Sequence, residues 1–283
     1  MFLQHKNGRL DLSQPRVMGI LNVTPDSFAD GGRYININDA LRRAEEMVAE
    51  GADIVDIGGE STRPGAEAVS ANEELDRVIP VIERLVASAG VPISVDTSKP
   101  AVMVEAVRAG ASIINDVKAL QEEGALQAAA GSGAGICLMH MQGAPRIMQQ
   151  APLYTDVVGE IKSFLQARID CCVQGGIDKT RLLIDPGFGF GKTLQHNVQL
   201  LRNLQIFTEL NLPLMVGLSR KSMLGFILGG EKPRPVEQRL YGSLAAVAWS
   251  VVQGAKVLRV HDVAATVDVL RVMAAVTSTG GRN

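Results

Sequence analysis

Eight short apolar runs in this sequence each end in a group able to do chemistry: Asn22, the segment Glu60-Ser61-Thr62-Arg63, Asp96, Asn115, His140, Asp185, the segment Ser219-Arg220-Lys221, and Arg259 with His261. Asp96, Asn115 and Asp185 close the runs ISVD, IIND and LLID. A carboxylate there is costly to bury unless a partner meets it. Two acids and an amide together suit an amino-substituted nitrogen heterocycle, whose N–H groups they would accept. Helix N-capping explains Asp96 or Asn115 singly, and all three together poorly. Lys221 supplies a cation opposite the acids, while Met139, Phe190 and the small Gly217 offer flat walls for a planar ring.

A second group of residues suits phosphate. Asn22 brings a neutral oxygen to a loop that also holds Asp26 and Asp30. That set suits Mg2+, which keeps several waters and is completed by ligand phosphate oxygens; a plain Asx-turn is the alternative. Arg63 carries a planar fork for a carboxylate or phosphate, between Thr62 and Pro64. Arg259 and His261 fall on the last run, where parallel barrels commonly bind phosphate, and are expected to face Asn22 across the closing seam. One stretch misleads: residues 185–193, DPGFGFGKT, mimic a phosphate-cradling loop but place Pro186 where that motif needs glycine.

The elements that must carry these groups follow from periodicity. The apolar runs span 17–22, 53–57, 93–96, 112–116, 135–140, 182–185, 214–217 and 257–261, with helical patterns between them at 40–50, 73–88, 100–108 and 156–174, among others. Near-continuous apolar strands alternating with helices predict a parallel sheet. Eight repeats without a Pro/Gly/Ser-rich linker predict a single (β/α)8 TIM barrel domain over 1–283, with a doubly wound open sheet as the alternative. Residues 2–4 and 9–12 flank Asn7-Gly8 and predict a short N-terminal β-hairpin with a type I′ turn, placed to plug the N-terminal mouth.

With 283 residues, the chain is long enough to bury a core without disulfides. A formal charge of -2 leaves no basic footprint for nucleic acid. Neither a signal-peptide core nor an apolar run of membrane-spanning length is visible, which predicts a cytoplasmic protein with no membrane partner. Cys137, Cys171 and Cys172 lack metal-ligand spacing and read as ordinary thiols.

Taken in order, NVTPDSF (22–28), GGESTRPG (58–65), DTS (96–98), IIND (113–116), DPGFGFGK (185–192), GLSRKS (217–222) and RVHD (259–262) resemble the dihydropteroate synthase family over nearly the whole chain. Ala29 is the one departure in these motifs, standing where many members have serine. The resemblance implies a homodimeric barrel in folate synthesis that uses Mg2+. Its small-molecule substrates would be 6-hydroxymethyl-7,8-dihydropterin pyrophosphate and p-aminobenzoate. It further implies Asn22 as metal ligand, and Thr62, Arg259 and His261 as pyrophosphate contacts. Asp96, Asn115, Asp185 and Lys221 would hold the pterin, near Met139, Phe190 and Gly217. Phe28, Arg63, Pro64 and Ser222 would border the p-aminobenzoate pocket. Asp96, Lys221, Arg259 and His261 form the expected catalytic set. A pterin-dependent methyltransferase would share the ring cradle without needing the pyrophosphate set, and the complete loops around Asn22 and Arg63 argue against a non-catalytic pterin-binding protein.

Overall fold

Strands of two to seven residues and helices on their outer side make up the computed structural model, which describes residues 1–24, 37–61, 66, 68–143 and 148–277. The parallel strands are β3 (Arg16–Asn22), β4 (Ile54–Gly58), β5 (Ile93–Asp96), β6 (Ile113–Asp116), β7 (Gly135–Met139), β8 (Leu182–Asp185), the two-residue β9 (Met215–Val216) and β10 (Val257–Val260). They pair in the order β8-β7-β6-β5-β4-β3-β10-β9. A parallel bridge between Ile184 and Leu214 then joins β8 to β9 and closes the barrel. Leu214 therefore contributes a bridge where a full strand residue was expected, and Gly217 lies beyond the strand.

Period-two alternation sorts each strand's side chains. Val55 and Ile57 face outward into the main core, as do Ile114 and Leu258 on their strands. Helices such as Ala71–Ser88 and Val157–Gln174 cover this outer face. Their starts are fixed by side-chain caps. Ser70 accepts from the Glu73 amide, and Asp156 accepts from the Val158 and Gly159 amides. No described helix is long and apolar enough to cross a membrane.

The inward residues form layers. At the bottom Met18, Ile54, Ile113, Cys137, Leu183, Met215 and Val257 meet Leu3 and Leu12 in a separate apolar cluster. Leu3 comes from the hairpin of β1 (Phe2–His5) and β2 (Gly8–Asp11), and Leu12 follows directly after it. The hairpin thus plugs the N-terminal mouth as expected. Its turn is shifted by one residue, because His5 pairs with Gly8 and leaves Lys6-Asn7 in the loop. Neither of these takes a positive φ, so the turn is not type I′. Lys6 instead anchors the loop to the barrel, its Nζ donating to the Val107 carbonyl at 2.6 Å.

Leu3 is fully buried in the floor cluster. Leu3→Ala should lower unfolding free energy by about 2–5 kcal/mol in urea titrations, the range for a truncated core leucine. A loss under about 1 kcal/mol would mean the hairpin is not part of the cooperative core.

Candidate active site

Above the apolar floor, the barrel interior turns polar. Asp56, Asn115, Asp185 and Arg259 lie on inward positions of β4, β6, β8 and β10, in phase with the floor residues below them, and Asp96 on β5 joins them through Arg259. Arg259 is the centre of this layer. Its Nε donates to Asp56 Oδ2 at 2.6 Å and its Nη2 to Asp96 Oδ2, also at 2.6 Å. Asn115 donates from Nδ2 to the same Asp56 oxygen at 3.0 Å, while its own Oδ1 is buried without a protein partner. Burial pushes the Asp96 carboxyl up to about 7, with Arg259 opposing and Asp56 reinforcing the rise. Burial alone would weaken the hold of Arg259 on its proton; Asp56 and Asp96 reverse that and raise it.

Asp185 sits across the barrel and is buried, which raises its carboxyl against the pull of Lys221. Its Oδ1 accepts from the Gly187 amide at 2.7 Å. A Cβ at Gly217 would first meet Arg259 Cβ at 3.9 Å and Asp185 Oδ2 at 4.0 Å, so this glycine keeps open the space beside both. Met139 pairs in register with Asp185 and adds an apolar wall. Lys221 lies 4.3 Å from the Phe190 ring centroid and also donates to the Phe188 carbonyl. Burial brings its ammonium down to about 8, with Asp185 holding it up.

The DPGFGFGK loop owes its shape to two contacts. Gly187 has φ of 71°, and a Cβ there would lie 1.9 Å from the His140 carbonyl oxygen, so only glycine fits. Lys192 then turns inward. Its Nζ reaches the Gly187 carbonyl at 2.8 Å, the Phe190 carbonyl at 2.9 Å and His140 Nδ1 at 3.0 Å. This lysine fastens the loop to the end of β7 and is itself buried.

Two N–H groups of Arg259 are taken by the carboxylates of Asp56 and Asp96. His261, two residues on, lies at the rim, with Nδ1 3.1 Å from the Ser219 hydroxyl. Val260 between them faces the outer core, and His261 falls just past the end of β10, one level above Arg259. Asp262 completes the segment by pairing with Arg220, whose Nε is 3.0 Å from its carboxylate.

Asn22 ends β3 beside Gly58, where a Cβ would lie 3.8 Å from Asn22 Oδ1 and 3.5 Å from Asp96 Cβ. Among the described residues no cluster of three His, Cys, Asp or Glu could hold a metal. Ser222 is exposed at the first position of its helix. Phe28, Asp30, Thr62, Arg63 and Pro64 lie outside the described residues. Sequence reasoning missed Asp56, whose signal was a lone carboxylate inside the apolar run IVDIG. It also missed the Lys99 link to Glu60 and Glu74, with Lys99 Nζ 2.5 Å from the buried Glu74.

The sequence family described as pterin binding enzyme matches residues 18–261. The dihydropteroate synthase of Escherichia coli (strain K12) is 54% identical over 269 residues, 95% of this chain and 94% of that protein. A Yersinia pestis dihydropteroate synthase solved in a sulfonamide drug complex superposes with a TM-score of 0.93 at 53% identity, covering 99% of this chain and 100% of the other. A Xanthomonas albilineans dihydropteroate synthase with 4-aminobenzoic acid gives a TM-score of 0.90 at 54% identity, covering 96% of each chain.

Burial, aided by Lys192, holds the His140 imidazole down at about 3 from 6.5. The unfolded chain therefore takes up a proton between those pH values that the folded chain refuses. Stability must fall on acidification through that window. His140→Gln should flatten this part of the stability–pH curve measured by urea unfolding, and an unchanged slope would show that His140 already carries its proton when folded.

Proposed function

The chain belongs to the pterin binding enzyme family, and from that membership we propose that it acts as a dihydropteroate synthase with a single pterin-binding domain. It condenses 6-hydroxymethyl-7,8-dihydropterin pyrophosphate with p-aminobenzoate to give 7,8-dihydropteroate and pyrophosphate. The observation that carries this reading is the pairing of buried acceptors, Asp185 and Asn115 Oδ1, with the cationic edge of Lys221 over Phe190. Such a cradle suits the N–H donors and flat face of a pterin.

The amine of p-aminobenzoate is a weak nucleophile, so the leaving group must carry the reaction. Its nitrogen lone pair forms the C–N bond at the pterin methylene as the C–O bond to pyrophosphate breaks, and the new ammonium then releases its proton. Asp96 and Asp185 lower the energy of positive charge developing on the ring, and they are already oriented before it forms. The remaining N–H groups of Arg259, with His261 and Thr62, meet the departing pyrophosphate.

A neutral amide oxygen as sole protein donor fits Mg2+, which takes most of its ligands from water and phosphate. The Asn22 side chain makes no hydrogen bond to any described residue and would hold the ion. When bound, it would neutralise charge on the leaving group. Phe28, Arg63, Pro64 and Ser222 are proposed to border the aryl amine, the pocket a sulfonamide would contest. Exposed Tyr241, Trp249 and Val252 on the helix Leu240–Val252, with Val272 and Val276 on the next, support a homodimer. A cytoplasmic location agrees with the lack of a membrane-spanning helix among the described residues.

Pyrophosphate release from the pterin substrate should depend on p-aminobenzoate. Release that ignores the amine, or none at all, would sink the assignment. Asp185→Asn should weaken binding of the pterin by about 1.5–3 kcal/mol in calorimetry, as expected for a lost charge-assisted hydrogen bond; an unchanged affinity in a folded variant would remove Asp185 from the cradle.

A further inference from the structure

Asp56 is fully buried in the middle of β4, below Gly58, and makes no contact that the proposed chemistry requires of it directly. Its Oδ2 nevertheless accepts from both Arg259 Nε and Asn115 Nδ2. Those two side chains come from β10 and β6, strands separated in the sheet by β3, β4 and β5. A carboxylate only accepts hydrogen bonds, so the Asn115 nitrogen must be the atom that faces it. Asn115 Oδ1 is thereby left buried and without a protein partner. Arg259 is steered in the same way: with Nε on Asp56 and Nη2 on Asp96, the plane of its guanidinium is set.

We infer that Asp56 is a positioning residue for both halves of the pterin pyrophosphate: its single carboxylate orients Asn115 to present an acceptor to the ring, and orients Arg259 toward the leaving group. The inference rests on the functional reading above and extends it to a residue that acts through Asn115 and Arg259, both held by its Oδ2. The polarity of Asn115 is the specific consequence. An amide free to turn over could offer either a donor or an acceptor, and the cradle would lose its preference for an N–H edge. Leaving a buried acceptor unmatched is how such a site rejects a wrong ring.

The test measures binding of two probes by calorimetry, 6-hydroxymethyl-7,8-dihydropterin without phosphates and inorganic pyrophosphate. Asp56→Asn keeps the side-chain volume but can donate as well as accept. It should weaken the pterin probe roughly 10–100-fold, the span of a charge-assisted hydrogen bond, and also weaken pyrophosphate. Double-mutant cycles then separate positioning from general support. The pterin penalty should largely vanish in an Asn115→Ala background, and the pyrophosphate penalty in an Arg259→Ala background. Penalties that persist unchanged in those backgrounds, that fall on one probe only, or that are absent, each overturn the inference. Because removing a buried counter-charge could unfold the chain, a crystal structure of the unaltered protein with the pterin probe is the second arm. There Asn115 Nδ2 must stay on Asp56 with Oδ1 toward the ring, and the opposite orientation overturns the inference. An unaltered protein that bound neither probe would sink the functional reading, and this inference with it. One that binds both while the variants behave like it would sink the inference alone.

Discussion

A guanidinium shared by the buried Asp56 and the largely buried Asp96 is the interaction on which the upper half of this barrel depends. Each of these charges alone would be costly to bury, by several kcal/mol even after relaxation. Together Asp56, Arg259 and Asp96 offset one another, and they can do so only if β4, β5 and β10 hold their register. Removing one member of such a group strands the others, which is why breaking a buried pair typically costs about 3–5 kcal/mol. The polar layer is therefore a structural commitment as well as a binding surface. Asn115 and Asp185 are set around it, and Gly217 keeps the space beside it open.

The two ends of the barrel solve opposite problems with the same alternation of side chains. At the floor, inward positions are Met, Ile, Cys, Leu and Val, and the first segment of the chain seals them from water. Two residues further along the same strands, the inward positions become Asp56, Asn115, Met139, Asp185 and Arg259. A shift of one residue in any strand would send its charge into the outer helical layer. Register is thus specified from both ends, by apolar closure below and by charge pairing above.

Much of this was legible in the chain. Strand ends could be read because buried parallel strands are short and apolar, so a polar terminus stands out. Asp96, Asn115 and Asp185 were visible for that reason, and the structure puts them inside the same mouth. Asp56 escaped because it interrupts a run instead of ending one, although Ile54, Asp56 and Gly58 share the inward phase. The hairpin was foreseen but its turn was one residue off, since the Asn-Gly signal was outweighed by pairing of His5 with Gly8. His261 could not be oriented from sequence, because its partner Ser219 lies 42 positions away and nothing in either segment announces the contact.

The floor plug also sets a timetable for the newborn chain. Leu3 leaves the ribosome well before Met215 and Val257, which complete its apolar cluster. At about 5–20 residues per second, the 254 positions from residue 3 to residue 257 take roughly 13–50 seconds to make. Throughout that interval the leucine of β1 has only part of its final surroundings. The hairpin consequently waits for its complete packing until β10 has been made, and the barrel can be sealed only after that strand exists.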